Sequence, residues 1–582
     1  MSLPISAAKA LCHIREELAL ESEEDNHSSD ESGDDSEDEY NHFVLRLDPV
    51  EDIPDENGEN IAPTPPRKRA RRLSKQEPLS WKSENDKDAA PATLRFLPAR
   101  EPGVQLSAAD NHTPLDLFKL FFSDSAVETL CKNTNKQAAR SIARGVEYKW
   151  TDVGVAEFYR YIGLIFLMGM VKLTDVRDYW RKCYYHTVPV AAEVMARDRF
   201  RTISWNVHMS DPDEDRVNDA KRGTSAHDRL FRLKPLMNTI QNACKAFYQP
   251  RRNIAVDERM VASPKCGFKL FVLADSSNGY TLDISVYNGN NNFIIGQGLS
   301  YDSVMSLIDK RYLGSGYHVY MDDFYTSPKL FRDLFAAKFG ACGAYKDVRR
   351  GCPHSAVNAL NKMSPTGTYR WIRDGPLVYV KWMDTLEVRA VCSTIHAAYT
   401  GDERETRVKS RKGVWSSQSL PCPSPVVEYN KFIGGLYSSD QYYTSQHKTS
   451  KWYKKLFYHF LDVAATNAYL LHKELMQNMH KDSMSQKAFM EELTAQLMGI
   501  PQKTQPQASP VLNGRNFCSP VCEVEPPTDG GKRACDNRKS CAHCRVQSGK
   551  DIKTPWKCRA CDVYLCLQTD RNCFDAWHHG GN

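Results

Sequence analysis

What the 582-residue chain lacks narrows the field first. No apolar run approaches the ~20 residues a membrane-spanning helix needs; the longest, Tyr161–Val171, reads as a core helix. Met1–Leu20 has no apolar stretch of secretory type and is already acidic by Glu16, so no leader is expected there. Cysteine is sparse through the body of the chain. Nine of the 18 lie at or beyond Cys518 and the other nine are scattered, which speaks for metal in a reducing compartment rather than a disulfide framework. Lys and Arg are missing from residues 21–39, which carry 11 Asp or Glu. Without those 11 acids the net charge of +5 becomes about +16 for the rest, a basic body suited to a polyanion. Hydrophobic content of 41% and aromatic content of 10% allow a sizeable core, and the length allows three or four domains.

Residues 1–100 read as a disordered arm, because the acidic, Ser-rich stretch has too little apolar surface to offset ordering entropy. Within it, Arg67, Lys68, Arg69, Arg71 and Arg72 place five basic residues in six. Such a cluster reads as a nuclear import signal or a phosphate contact, with an ordinary charged linker as the alternative. Residues 113–250 have helix-spaced apolar positions: Pro114–Phe122, Val127–Lys132, a break at Asn133–Asn135, then Val153–Met170 and Leu230–Phe247. Strand and helix then alternate over residues 251–340. Residues 341–430 are richer in strand, residues 431–480 are helical, residues 481–530 form a linker and residues 531–582 are Cys-rich. The opening of Lys451–Leu471 carries basic residues able to face phosphate. The whole is an α/β protein preceded by a helical region.

The most specific chemical signal is the spacing of Cys541, Cys544, Cys558, Cys561, Cys566, Cys573 and His578. Two C-x-x-C knuckles followed by spaced Cys and His suit tetrahedral Zn²⁺. Seven candidate ligands imply two structural ions, interleaved as in a cross-brace module, with Cys535 as a possible substitute. Spacing does not say which four share an ion. Nine Lys or Arg against two Asp between Lys532 and Arg559 favour DNA contact; a protein-binding role is the alternative.

Two further words end apolar runs in carboxylates: Ile254-Ala-Val-Asp257-Glu258 and His318-Val-Tyr-Met-Asp322-Asp323-Phe-Tyr-Thr-Ser327. Buried strands that deliver Asp to one end of a sheet can share a divalent cation such as Mg²⁺, although a strand-end Asp is more often a turn or cap residue. These words, with Gly267–Tyr280, Lys381-Trp-Met-Asp384, Ser393-Thr-Ile-His396, Gly434-Gly435, Lys451-Trp452 and the Cys/His block, stand in the order of the piggyBac family of DNA transposases. The chain resembles that family from about Thr113 to His578. The resemblance implies a ribonuclease-H-like catalytic core with an insertion at residues 341–430. It also implies a helical dimerisation and DNA-binding region, three metal-binding Asp, and a zinc domain that binds the transposon end. Double-stranded DNA and a second copy of the chain are the implied partners, with no membrane and no small-molecule substrate, and cleavage falls at TTAA.

The chain departs from that pattern at the third Asp. Where the family has Gly-Gly-Val-Asp-x-x-Asp-Gln, this chain has Gly434-Gly435-Leu436-Tyr437-Ser438-Ser439-Asp440-Gln441. A phenol with a pKa near ~10 is a poor ligand for hard Mg²⁺. Asp440, the remaining acid, lies one helical turn or about 4.5 Å further on. A longer basic segment after the first Asp is also missing. The candidate catalytic set is therefore Asp257, Asp322 and Asp440. The favoured expectation is a domesticated, nuclear, DNA-binding relative with impaired or lost cleavage. The alternatives are an active cut-and-paste transposase and a non-catalytic interaction factor.

Overall fold

The computed structural model describes residues 80–107, 110–181, 188–261, 268–287, 297–361, 363–384, 387–409, 415–435, 449, 451–500, 520–522, 538–558, 561–568 and 571–579. The chain divides into two compact units, Met1–Pro501 and Gln502–Asn582.

In the first unit the main leading helices are α1 (Pro114–Lys119), α2 (Asp124–Ala143), α3 (Val155–Met170), α4 (Arg197–Asn206) and α5 (Lys234–Phe247). Thr113 and Asp116 start α1 with reciprocal side-chain to backbone hydrogen bonds, the pairing that satisfies two otherwise orphaned donors. Helix α2 runs straight through Asn133–Asn135, where the sequence predicts a break. The reason is tertiary. The Asn133 amide donates to the Met209 carbonyl at 3.0 Å, and Asn135 both donates to and accepts from the Val153 backbone, so these amides join elements instead of competing with their own helix.

Strands β1 (Asn253–Val261), β2 (Phe268–Asp275) and β3 (Thr281–Val286) form an antiparallel meander, followed by α6 (Leu299–Leu307), β4 (His318–Met321), α7 (Pro328–Ala336) and β5 (Gly340–Ala344). Strand β4 pairs in parallel with β1 on one side and with β5 on the other. Residues 341–430 were expected to insert into the core. Within them, strands β6 (Tyr369–Asp374), β7 (Leu377–Met383) and β8 (Val388–Ser393) extend the same sheet, because β8 pairs with β5. The eight strands lie in the order β6-β7-β8-β5-β4-β1-β2-β3. Helix α8 (Ser424–Phe432) packs on β1, β5 and β8. Behind the sheet, α9 (Trp452–Asn478) is buried along most of its length and contacts α1, α5 and β1, while α10 (Gln486–Met498) packs on α1 and α3. No helix among the described residues is long and apolar enough to cross a membrane.

Two regions read as arm or linker prove to be packed. Helix α10 buries Phe489, Met490, Leu493 and Leu497, a helical face within residues assigned to a linker. Residues 80–107 also pack against the body. Trp81 is 2% exposed and donates its indole N–H to the Ser355 carbonyl at 2.7 Å, and Lys82 bridges Trp371 on the outermost strand, β6. Asp88 forms a two-pronged ion pair with Arg373 of the same strand. The buried indole, the Lys82 bridge and the Asp88–Arg373 pair together hold the segment that covers an otherwise open sheet edge. Trp81→Ala should lower the stability of the first unit by on the order of 3 kcal/mol, read as a lower thermal midpoint. Lys87→Ala, on the exposed side of the same segment, should leave the midpoint where it is.

Candidate functional site

The β1–β4 register pairs Val256 with Met321, so Asp257 and Asp322 come next on adjacent parallel strands. Strand β4 stops there, whereas β1 continues to Val261 against β2. Asp257 is therefore not at the end of its own strand, as its sequence suggests. It stands where the neighbouring strand ends and the sheet opens. Asp257 is 6% exposed, and one carboxylate oxygen accepts the Glu258 N–H at 2.8 Å. Asp322 opens a turn and accepts the Phe324 N–H at 3.0 Å.

The electrostatics fit a cation. Burial first, then the negative charges of Asp323 and Glu258, push the Asp322 carboxyl up to about 6, only partly offset by the N–H groups of Phe324 and Tyr325. Crowded, half-desolvated carboxylates are what a divalent ion relieves. Two tyrosines that sequence reasoning missed close the surroundings. Tyr325 is fully buried, and burial followed by Glu258, Asp257 and Asp322 raises its phenol well above the usual range. Tyr429 of α8 is raised in the same way by burial, Asp322 and Asp257. Tyr325 lies in a word already singled out, while Tyr429 carries no sequence signal because α8 is distant in the chain. Lys269 on β2 pairs with Glu258 at 2.5 Å and sits over the Phe324 ring at 4.2 Å.

Among the described residues no group of three ligands that includes Asp257 or Asp322 lies at a common coordination distance. Asp440 and Tyr437 lie outside the described residues, as do Arg67, Lys68, Arg69, Arg71, Arg72 and Cys535. The structure corrects one expectation about basic residues. Lys454 and Lys455 at the start of α9 are buried and do not face phosphate. The Lys454 ammonium donates to the carbonyls of Ser204 and Trp205 at 2.6 and 2.8 Å, satisfying the end of α4. Burial, then the charge of Lys451, pushes its pKa well down.

In the second unit the seven predicted ligands divide into two groups. Cys541, Cys544, Cys566 and Cys573 are all buried, and Cys558, Cys561 and His578 form the other group; within each, the ligand atoms lie within 4.8 Å of one another. The Cys544 sulfur is 3.4 Å from that of Cys573 and 3.9 Å from that of Cys566. The groups interleave along the chain. Cys541 precedes α11 (Ala542–Ser548), and Cys573 opens α12 (Cys573–His579), which carries His578 to its last turn. The His578 Nδ1–H donates to the Phe574 carbonyl at 2.7 Å, leaving Nε2 as the lone pair 3.3 Å from the Cys561 sulfur. Fixing the tautomer in this way is the usual support for a metal-binding imidazole. The buried four-cysteine group could hold a metal ion, and its all-sulfur donor set suits a soft tetrahedral one.

Carboxylates where a mixed sheet opens, in the first unit, and a cysteine cluster, in the second, set the class to look for, and comparison with known proteins names it. A family model described as Transposase IS4 matches residues 113–469. The chain belongs to the piggyBac transposase family. It is 26% identical to the human PiggyBac transposable element-derived protein 3, over 62% of this chain and 61% of that protein. It is 22% identical to the human PiggyBac transposable element-derived protein 5, over 66% of this chain and 75% of that protein. The match thus spans about three fifths of the first relative's length. The fold is that of a piggyBac transposase seen by cryo-EM in a synaptic complex with hairpin DNA. The TM-score is 0.57 at 20% identity, covering 80% of this chain and 98% of that one.

The raised Asp322 carboxyl has a direct consequence. The folded chain holds this proton more tightly than the unfolded chain does. The penalty of ionising it therefore grows from about pH 4 to about pH 6 and is complete above that. In buffer free of divalent ions, Asp322→Asn should stabilise the first unit above pH 6 by on the order of 2 kcal/mol and change little below pH 4. Equal melting of the two proteins above that range would contradict the desolvated-carboxylate account.

Proposed function

We propose that this chain is a piggyBac-derived, nuclear, DNA-binding protein in which strand cleavage is impaired or lost. One observation carries the reading: Tyr437 stands where the family's third metal-binding Asp stands, while Asp257 and Asp322 remain side by side. Support for a ribonuclease-H-like core comes from strands β1–β5, which run in the order 3-2-1-4-5 with β4 and β5 parallel to β1. Support for a DNA partner comes from the net charge of the chain outside its acidic stretch and from the hairpin DNA in the matched complex. Nuclear import rests on Arg67, Lys68, Arg69, Arg71 and Arg72; a homodimer belongs to the same family reading.

Divalent ions, Mg²⁺ in this reading, supply Lewis acidity and a nucleophile for in-line phosphoryl transfer. Asp257 and Asp322 would hold them. The chain contributes two buried carboxylates on adjacent strands, a wall of Tyr325 and Tyr429 that limits water, and Lys269, which balances Glu258. With Tyr437 the third anionic ligand is lost, and Asp440 lies a helical turn away if the segment is helical. A second reading, an active transposase using Asp257, Asp322 and Asp440, is favoured by the intact pair. The test is Mn²⁺-dependent nicking of supercoiled plasmid, with Asp322→Ala as control. Impaired cleavage predicts little nicking above the control and a large gain on Tyr437→Asp. Robust nicking that Asp322→Ala abolishes would establish the active enzyme instead.

The second unit is read as a two-zinc domain, its four-cysteine group and its Cys558/Cys561/His578 group each holding one Zn²⁺. The full chain should carry two zinc ions by elemental analysis, and His578→Ala should carry one. Two ions retained in His578→Ala would remove His578 from the ligand set.

A further inference from the structure

The turn that begins at Asp322 is held from a distant part of the chain. Arg349, on the loop that leaves β5 for β6, donates from Nη2 to the Phe324 carbonyl at 2.6 Å and from Nη1 to the Thr326 carbonyl at 2.8 Å. Phe324 is the residue whose N–H holds the Asp322 carboxylate. A continuous line of hydrogen bonds thus runs from the guanidinium through one residue's two backbone groups to the carboxylate. The turn is fixed from within as well. The Thr326 hydroxyl donates to the Asp322 carbonyl at 2.8 Å. A side chain at Gly343 of β5 would strike that hydroxyl and approach the Met321 carbonyl to 2.7 Å, so strand and turn meet at contact distance.

We propose that Arg349 is a positioning residue for the Asp257/Asp322 cation site. It does not touch the cation; it sets the turn, and thereby the direction in which the Asp322 carboxylate faces Asp257. The planar, two-pronged donor of arginine matches two carbonyls of one turn, which the single ammonium of lysine does not. Arg349 is half-buried, so its place is open to a small cation from solvent. The proposal rests on the cation-site reading above.

The test titrates the full chain with Mn²⁺ alone and follows free Mn²⁺ by its paramagnetic signal, with thermal melting alongside. Loss of a residue that orients a metal ligand weakens binding about ten- to a hundredfold. Arg349→Ala should show that loss with the melting midpoint of the first unit nearly unchanged. Guanidinium ion at non-denaturing concentration should restore most of it in Arg349→Ala and none of it in Asp322→Ala. Arg349→Lys, which keeps charge and packing, should remain weaker than wild type, and it covers the case in which Arg349→Ala does not fold. Wild-type affinity in either variant, or a loss in folded Arg349→Ala that guanidinium does not restore, would overturn the proposal. Failure of the wild-type chain to bind Mn²⁺ through Asp322 would overturn the cation-site reading as well.

Discussion

Parallel pairing of β1 with β4 is the constraint from which the first unit's chemistry follows. Parallel neighbours cannot be joined by a tight turn, so the meander β1–β3 and helix α6 must lie between the two strands in sequence. The pairing brings Asp257 and Asp322 together at the point where β4 ends and β1 carries on. Burial there, together with the negative charges of Asp323 and Glu258, raises the cost of ionising Asp322. The raised Asp322 carboxyl and the raised phenols of Tyr325 and Tyr429 are one electrostatic environment felt by three groups.

The second unit is governed by a different constraint. Its buried cluster consists of Cys541, Cys544, Cys558, Cys566 and Cys573 with Leu565, and little else. Among the described residues little apolar surface is buried there, and most of the core is the candidate ligand set itself. A metal ion held by that set would couple its own binding to the folding of the unit. The interleaved groups bring the Cys541/Cys544 knuckle to Cys566 and Cys573, and the Cys558/Cys561 knuckle to His578.

Basic residues in this protein have two distinct employments, and charge counting does not separate them. Lys454 closes the end of α4 and Arg349 braces the turn after Asp322. Both spend their donors on backbone carbonyls of other elements. Such carbonyls have no intrahelical or ladder partner, and a buried acceptor left unpaired is costly. A positive residue near a helix end or a turn is therefore not automatically available to a polyanion, even in a chain as basic as this one.

The sequence by itself determined the local elements and the chemistry-bearing words. Strand β4 falls at His318–Met321 as predicted, α3 and α9 start within two residues of their predicted positions, and all seven zinc candidates divide between two ligand groups. These features are legible because periodicity, capping and ligand spacing act over a few residues. Only the tertiary structure decided what depends on partners remote in the chain. Helix α2 continues through Asn133–Asn135 because Met209 and Val153 accept and donate there. Strands β6–β8 extend the sheet because the edge of β5 was open to β8. Trp81 folds down because the Ser355 carbonyl awaits its indole N–H, and Lys82 beside it bridges to Trp371. The four cysteines that share a site lie in two separated pairs, and spacing alone cannot say which pair closes on which. Long-range hydrogen bonds and packing carry no periodic signature, so they appear only once the chain has closed on itself.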